Sequence, residues 1–222
     1  MKKQLMLFLI GTIVVAATVV ALSAYEAHVI NVTAHIENAI RTIIDGDGLK
    51  FGTVFPQEYK KKLVQITTST SFCKPDQRRV LSIDYKIVQK PKCKNAAGEY
   101  APVEYWSDEC PEGYTKMPLL CAYLSKTPRF TDPSPYTDYG VLAFHDPLTA
   151  VATGTINKDH DLLDDWIIDL AVPCFEGMCS QDWPEFVASH NPEAKPQDYV
   201  LPADLEGKDF GCDLWLEVTK IY

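Results

Sequence analysis

Apolar and polar residues alternate along much of this chain with a period of two, which sets successive side chains on opposite faces of a β-strand. The clearest case is 165–172, where Trp166, Ile168, Leu170 and Val172 share one face. Pro173 ends that pairing because it has no N–H to give. Residues 62–69 are rich in β-branched side chains, and 80–88 set Leu81, Ile83, Tyr85 and Ile87 against Ser82, Asp84 and Lys86. The same reading predicts strands at 49–55, 139–144, 148–156 and 212–219, the last with Leu214, Leu216 and Val218 opposite Trp215 and Glu217. Ile36, Ile40, Ile43 and Ile44 have a spacing that a helical turn also uses, so the first strand is expected to end near Ala39. Asp182 is placed to cap a short helix over 182–187, with Pro184 in its first turn. Many short strands with few helices predict an all-β protein, a β-sandwich.

Before these strands, an apolar run from Leu5 to Leu22 follows Lys2 and Lys3 and leads into Ser23 and Ala24. A positive start, an uncharged core and small residues at the boundary are the pattern of a secretory signal, with cleavage beside Ser23 and Ala24. The alternative is a retained anchor, since these eighteen residues approach the length that spans a hydrocarbon core of about 30 Å. Either way, residues 25–222 form a single sandwich domain outside the cytoplasm, touching a membrane only through residues 1–24. Behind the signal, Ile30, Val32, Ala34 and Ile36 alternate with Asn31, Thr33, His35 and Glu37. A strand at a chain end can pair within its own domain or fill an open edge on a neighbour, because unpaired backbone groups accept any compatible strand.

Composition narrows the partners. The formal charge is −9, and loss of Lys2 and Lys3 leaves 19 basic against 30 acidic residues. Nucleic acid is excluded as a partner, since phosphate binding needs a cationic footprint. The seven cysteines, Cys73, Cys93, Cys110, Cys121, Cys174, Cys179 and Cys212, read as disulfides in an exported chain, with one left over. Cys174–Cys179 and Cys110–Cys121 are the expected local staples, and the leftover thiol is expected to be buried and inert. From about 90 to 135, prolines and three cysteines crowd a stretch without clean periodicity, which reads as a stapled insertion. Its aromatic residues, among them Tyr100, Tyr105, Trp106, Tyr114, Tyr123 and Tyr136, are expected to pack it onto the sandwich, the alternative being a carbohydrate or peptide surface.

Catalytic signatures are sparse. There is no His-Glu-x-x-His, Gly-x-Ser-x-Gly or glycine-rich phosphate loop. Asn157, Asp159 and Asp161, with Asp164 and Asp165 behind them, offer hard oxygen ligands of the kind calcium takes, but a solvated turn is the ordinary reading. No other cofactor is expected.

The layout of an amino-terminal signal, an alternating strand, and then Leu49-Lys50-Phe51-Gly52-Thr53-Val54-Phe55-Pro56-Gln57-Glu58 before a strand resembles the TasA/camelysin group of exported bacterial proteins. The closing Gly211-Cys212-Asp213-Leu214-Trp215-Leu216-Glu217-Val218-Thr219 is also similar to the ending of uncharacterised exported proteins. The TasA resemblance implies a jelly-roll fold and a structural subunit of an extracellular matrix or surface fibre, a homopolymer on the cell surface. Val29, Ile30, Val32, Ala34 and Ile36 would then be the donor strand that completes a neighbour's sheet. The camelysin side implies a metalloendopeptidase, and the aromatic insertion leaves a third class, a cell-surface binding module.

Overall fold

The computed structural model describes residues 40–44, 48–74, 79–101, 109–129, 139–160 and 162–222. The predicted signal with Ser23 and Ala24, the donor segment from Val29 to Ile36, and Asp161 lie outside these residues. The described residues build an all-β protein with one α-helix and every strand pairing antiparallel.

Nine strands are described: β1 (Ile40–Ile44), β2 (Tyr59–Thr68), β3 (Ser82–Lys90), β4 (Cys93–Asn95), β5 (Tyr114–Lys116), β6 (Leu124–Pro128), β7 (Ala152–Asn157), β8 (Leu163–Ala171) and β9 (Asp213–Ile221). They form a four-stranded sheet in the order β1-β2-β8-β6, a three-stranded sheet β7-β3-β9 and a small hairpin of β4 with β5. Alternation decides which side of each sheet is dry. In the larger sheet Val64 faces Trp166 across the β2–β8 ladder, and Leu124 faces Leu170 across β6–β8, all buried. In the smaller sheet Ile83 faces Ile156 and Ile87 faces Ala152, also buried. Side chains from both sheets make one core, so the two layers are sandwich-like. Each large side chain sealed there contributes roughly 1.5–3 kcal/mol relative to exposure.

The centre of this core carries a chain of polar groups linked one to the next. Trp166 Nε1–H donates to the Tyr85 hydroxyl at 2.7 Å, and that hydroxyl donates to Asp164 Oδ2. The Tyr85 ring lies over its cross-strand partner Gly154, where a Cβ would overlap the phenol. Glycine is required at 154 for that reason. Across the outer face of the smaller sheet run polar pairs, Lys86 with Glu217 at 2.8 Å and Thr155 Oγ1 to Asp84 at 2.9 Å.

Several expectations are revised. Ile40–Ile44 is a strand and not a helical turn, because its backbone pairs with β2 from Ile44↔Val64 to Ile40↔Thr68. Residues 49–55 form no strand; they run as a loop that packs Leu49, Phe51 and Val54 against the core. Residues 139–144 do not form a strand either. Tyr139 bridges Thr153 of β7 while Val141 bridges Lys126 of β6, so this segment crosses from the edge of one sheet to the edge of the other. Gly140 sits between the two bridges because a Cβ there would come within 2.7 Å of the Lys126 carbonyl. Leu81 is exposed, one residue short of β3. The presumed insertion contains β6, an edge strand of the larger sheet, and therefore ends as an insertion before Leu124.

Cys174–Cys179 forms as its short spacing predicts, but Cys110 pairs with Cys93 and Cys121 pairs with Cys212. The reason is local pairing. The β4–β5 hairpin carries Cys93 to the turn that begins at Cys110, whereas Leu120 N–H donates to Gly211 O at 3.0 Å and draws Cys121 to Cys212. Cys73, expected buried, is exposed, with its Sγ 3.0 Å from Thr68 Oγ1. Three disulfides mark an oxidising environment. Among the described residues no helix is long and apolar enough to cross a membrane.

Candidate functional site

The most elaborate local structure lies beyond β8, where the chain leaves the sheet at Pro173, is stapled by Cys174–Cys179 and enters helix α1 (Trp183–His190). Asp182 occupies the cap position with proline in the first turn, as predicted. Its carboxylate makes no capping bond, however, because Ser180 and Gln57 donate to it instead. Those two bonds, Ser180 first, hold the Asp182 carboxyl below its ordinary range.

The helix ends at Asn191, whose Nδ2 donates to the carbonyls of Ala143 at 3.0 Å and Phe144 at 2.9 Å. This clamp fixes Phe144 in the left-handed region, φ 56°, which a bulky side chain adopts only under external constraint. In return the Phe144 ring becomes a hub. Trp183 stands edge-on to it at 5.6 Å, Tyr199 at 5.4 Å, and Tyr123, Phe186 and His190 at 6.1 Å. Edge-to-face pairs of this kind add about 0.5–1.5 kcal/mol each beyond the area they bury. Phe144→Ala is therefore expected to cost about 3–5 kcal/mol in a denaturant titration. A loss below 1 kcal/mol would show that the cluster is not load-sharing.

Beside the hub a cleft of about 380 Å³ opens between residues 119–123, 145–147 and 198–205. Tyr123, Tyr199, His145, Asp146 and Asp198 supply its polar lining, and Leu119, Leu201 and Leu205 supply apolar walls. His145 reaches it as a spent group. Its Nδ1–H donates to Leu142 O at 2.7 Å, which leaves Nε2 to accept from Gln89 Nε2 at 2.8 Å. Both ring nitrogens are occupied, and burial, then the nearby Lys126 amine, lower its pKa to about 4. A neutral imidazole with no free lone pair is neither a general base nor a metal ligand.

The tyrosines are different. Tyr123 is only 6% exposed, but its hydroxyl is not sealed off: it has no hydrogen-bond partner among the described residues, nor has that of Tyr199, and neither oxygen is a buried unpaired atom. Burial and then the neighbouring Tyr199 raise Tyr123 to about 12. Burial, then Asp198 and Asp146, raise Tyr199. Both phenols are protonated at neutral pH, and two carboxylates lie near them.

Other candidates are placed as follows. The Asn157 Oδ1 accepts the Asp159 N–H at 2.9 Å, closing a turn between β7 and β8. Among the described residues no three His, Cys, Asp or Glu side chains converge to hold a metal ion. Of the insertion's aromatics, Tyr123 packs into the core as expected, while Tyr100 is more than half exposed with the ammonium groups of Lys92 and Lys94 over its ring. Tyr105, Trp106 and Tyr136 lie outside the described residues. Sequence reasoning missed Tyr199 and Asp198, which sit in a 3-10 turn (Pro196–Tyr199) that carries no periodic signal.

The sheet edges form the other candidate surface. The crossing through Gly140 links the edges of β6 and β7, whereas β1 and β9 each have one strand neighbour among the described residues. No family model matches the chain, and comparison with curated proteins and with solved structures returns no match.

Proposed function

We propose that this chain is an exported structural subunit that assembles into extracellular fibres by strand donation on a jelly-roll-like sandwich. The observation that carries this reading is the mismatch of the two sheets among the described residues, four strands against three, with β9 at an edge of the shorter one. A jelly roll has two four-stranded layers. An added strand beside β9 would complete the pair. The β9 edge is suited to accept one, because among the described residues β9 pairs with β3 alone, and Val218 and Ile221 on it are 45% and 53% exposed. The segment that would supply the strand is the alternating stretch with Ile30, Val32, Ala34 and Ile36 on one face. Main-chain hydrogen bonds would set its register and the four apolar side chains would fill the neighbour's core. The resemblance to the TasA group supports the same assembly route, and the three disulfides fit export to a cell surface or matrix.

Negative-stain electron microscopy of the exported form is expected to show filaments. Val32→Asp should abolish them, because it would bury a carboxylate in the acceptor sheet. A protein that stays monomeric at high concentration, with its own leading segment paired to β9, would refute the proposal. The cleft beside Phe144 favours a second reading, a cell-surface binding module.

A further inference from the structure

We propose that the cleft lined by Tyr123, Tyr199, Asp146 and Asp198 is a binding site for an organic ammonium group carried on a short apolar stem. The inference stands apart from fibre assembly, since none of these residues lies on β1 or β9.

The argument begins with what the cleft lacks. Among the described residues no lysine or arginine lines it, and its histidine is neutral and fully hydrogen-bonded, so phosphates and carboxylates find no counter-charge there. What it holds is a surplus of acceptors. The Asp198 carboxylate accepts no hydrogen bond from the described residues. The Asp146 carboxylate accepts from Leu148 N–H at 3.0 Å and Thr149 Oγ1 at 3.1 Å, which leaves one lone pair on each oxygen. Two phenol oxygens add to the set, and neither phenol O–H has a partner among the described residues.

An ammonium is the complementary group, with three donors, no acceptor and a positive charge. A neutral polyol can donate to the same acceptors, but it brings no positive charge to balance the two carboxylates. Tyr123 is the observation that makes this a site and not a dent in the surface. Its side chain is 94% buried, yet its hydroxyl stays accessible and has no partner among the described residues, so the one polar atom of a deeply set ring is presented at the cleft. The walls decide the rest of the ligand. Leu119, Leu201 and Leu205 are apolar, and 380 Å³ is at the small end of ligand pockets, enough for a stem of a few methylenes. The end of a lysine side chain or a small alkylamine has that form.

The test uses the exported chain with n-butylammonium chloride, followed by isothermal titration and saturation-transfer NMR, against 1-butanol, butyrate and methyl α-glucoside. Saturable binding of the amine, at least tenfold tighter than 1-butanol and weakened by added salt, is expected, with no binding of butyrate. Asp198→Asn should reduce amine affinity about five- to tenfold while leaving the thermal midpoint unchanged, since that side chain is exposed. Tyr123→Phe should also weaken the amine, with the near-ultraviolet circular dichroism retained as evidence that the fold survives. Equal binding of 1-butanol, preference for the glucoside, no saturable amine binding, or full affinity in Asp198→Asn would each overturn the proposal.

Discussion

Lys126→Met should raise the stability of this protein by roughly 3–5 kcal/mol at pH 7, a rise in midpoint on the order of 10 °C. Lys126 lies on the inward face of β6, with no exposed surface, across the ladder from Ile168. Its ammonium would have three donors to satisfy and finds one acceptor among the described residues, the Leu124 carbonyl at 3.4 Å. Burial lowers its pKa from 10.5 to about 7. Folding therefore costs either the removal of a proton or the burial of an unpaired charge. Methionine has a similar length and no charge, and replacing a buried ion by an apolar side chain is commonly stabilising.

The pH dependence has a definite sign. The folded pKa lies below the unfolded one, so between about 7 and 10.5 the unfolded chain holds a proton that the folded chain has released. Stability then rises with pH through that window, and the full penalty stands below it. His145 acts in the same direction lower down, adding stability as pH rises from about 4 to 6.5. Above 10, Tyr59 and Tyr123, both raised to about 12, reverse the trend because the folded state now keeps protons that the unfolded state loses. Denaturant titrations of wild type and Lys126→Met at pH 6, 8 and 9.5 would read this directly. The gap between the two proteins should narrow as pH rises. A variant less stable than wild type, or a gap independent of pH, would show that the amine is paired or solvated in solution.

The same residue explains why part of the fold was hidden in the sequence. Strands β2, β3, β8 and β9 were legible because their inward positions are apolar at every second residue, as with Trp166, Ile168 and Leu170. β6 was not, since the inward phase of Leu124, Lys126 and Pro128 includes a lysine and ends in a proline. β1 was ambiguous because isoleucines at 40, 43 and 44 satisfy a helical spacing, and only pairing with Val64 to Thr68 selects the strand. The short Cys174–Cys179 staple followed from chain proximity. The two longer bonds depend on which backbones meet, a tertiary fact with no local trace. The cleft beside Phe144 was the least legible element, as its polar groups come from three separated segments held by the Phe144 hub.

Removing the Cys121–Cys212 bond should be the most costly disulfide change. The bond joins the turn before β6 to the first residue before β9, across a separation of 91 residues. In the chain-entropy model a crosslink that closes a loop of this length restricts the unfolded ensemble by about 4–5 kcal/mol, against about 2 kcal/mol for the five-residue separation of Cys174–Cys179. The native geometry does not depend on the sulfurs alone. Leu120 N–H still reaches Gly211 O at 3.0 Å, and Gly211 N–H still reaches Pro118 O at 3.0 Å. The effect should therefore fall on the unfolded state. The double alanine variant at 121 and 212 is expected to lose about twice the stability of the variant at 174 and 179, with a steeper denaturant dependence because its unfolded chain exposes more surface. If the short staple proved the costlier one, the stabilisation would have to come from native packing at Cys174, which is fully buried. The ordering also bears on assembly. Under the proposed assembly, a β9 anchored just before its first residue keeps its acceptor edge in register, so loss of this bond should weaken filaments at temperatures where the monomer is still folded.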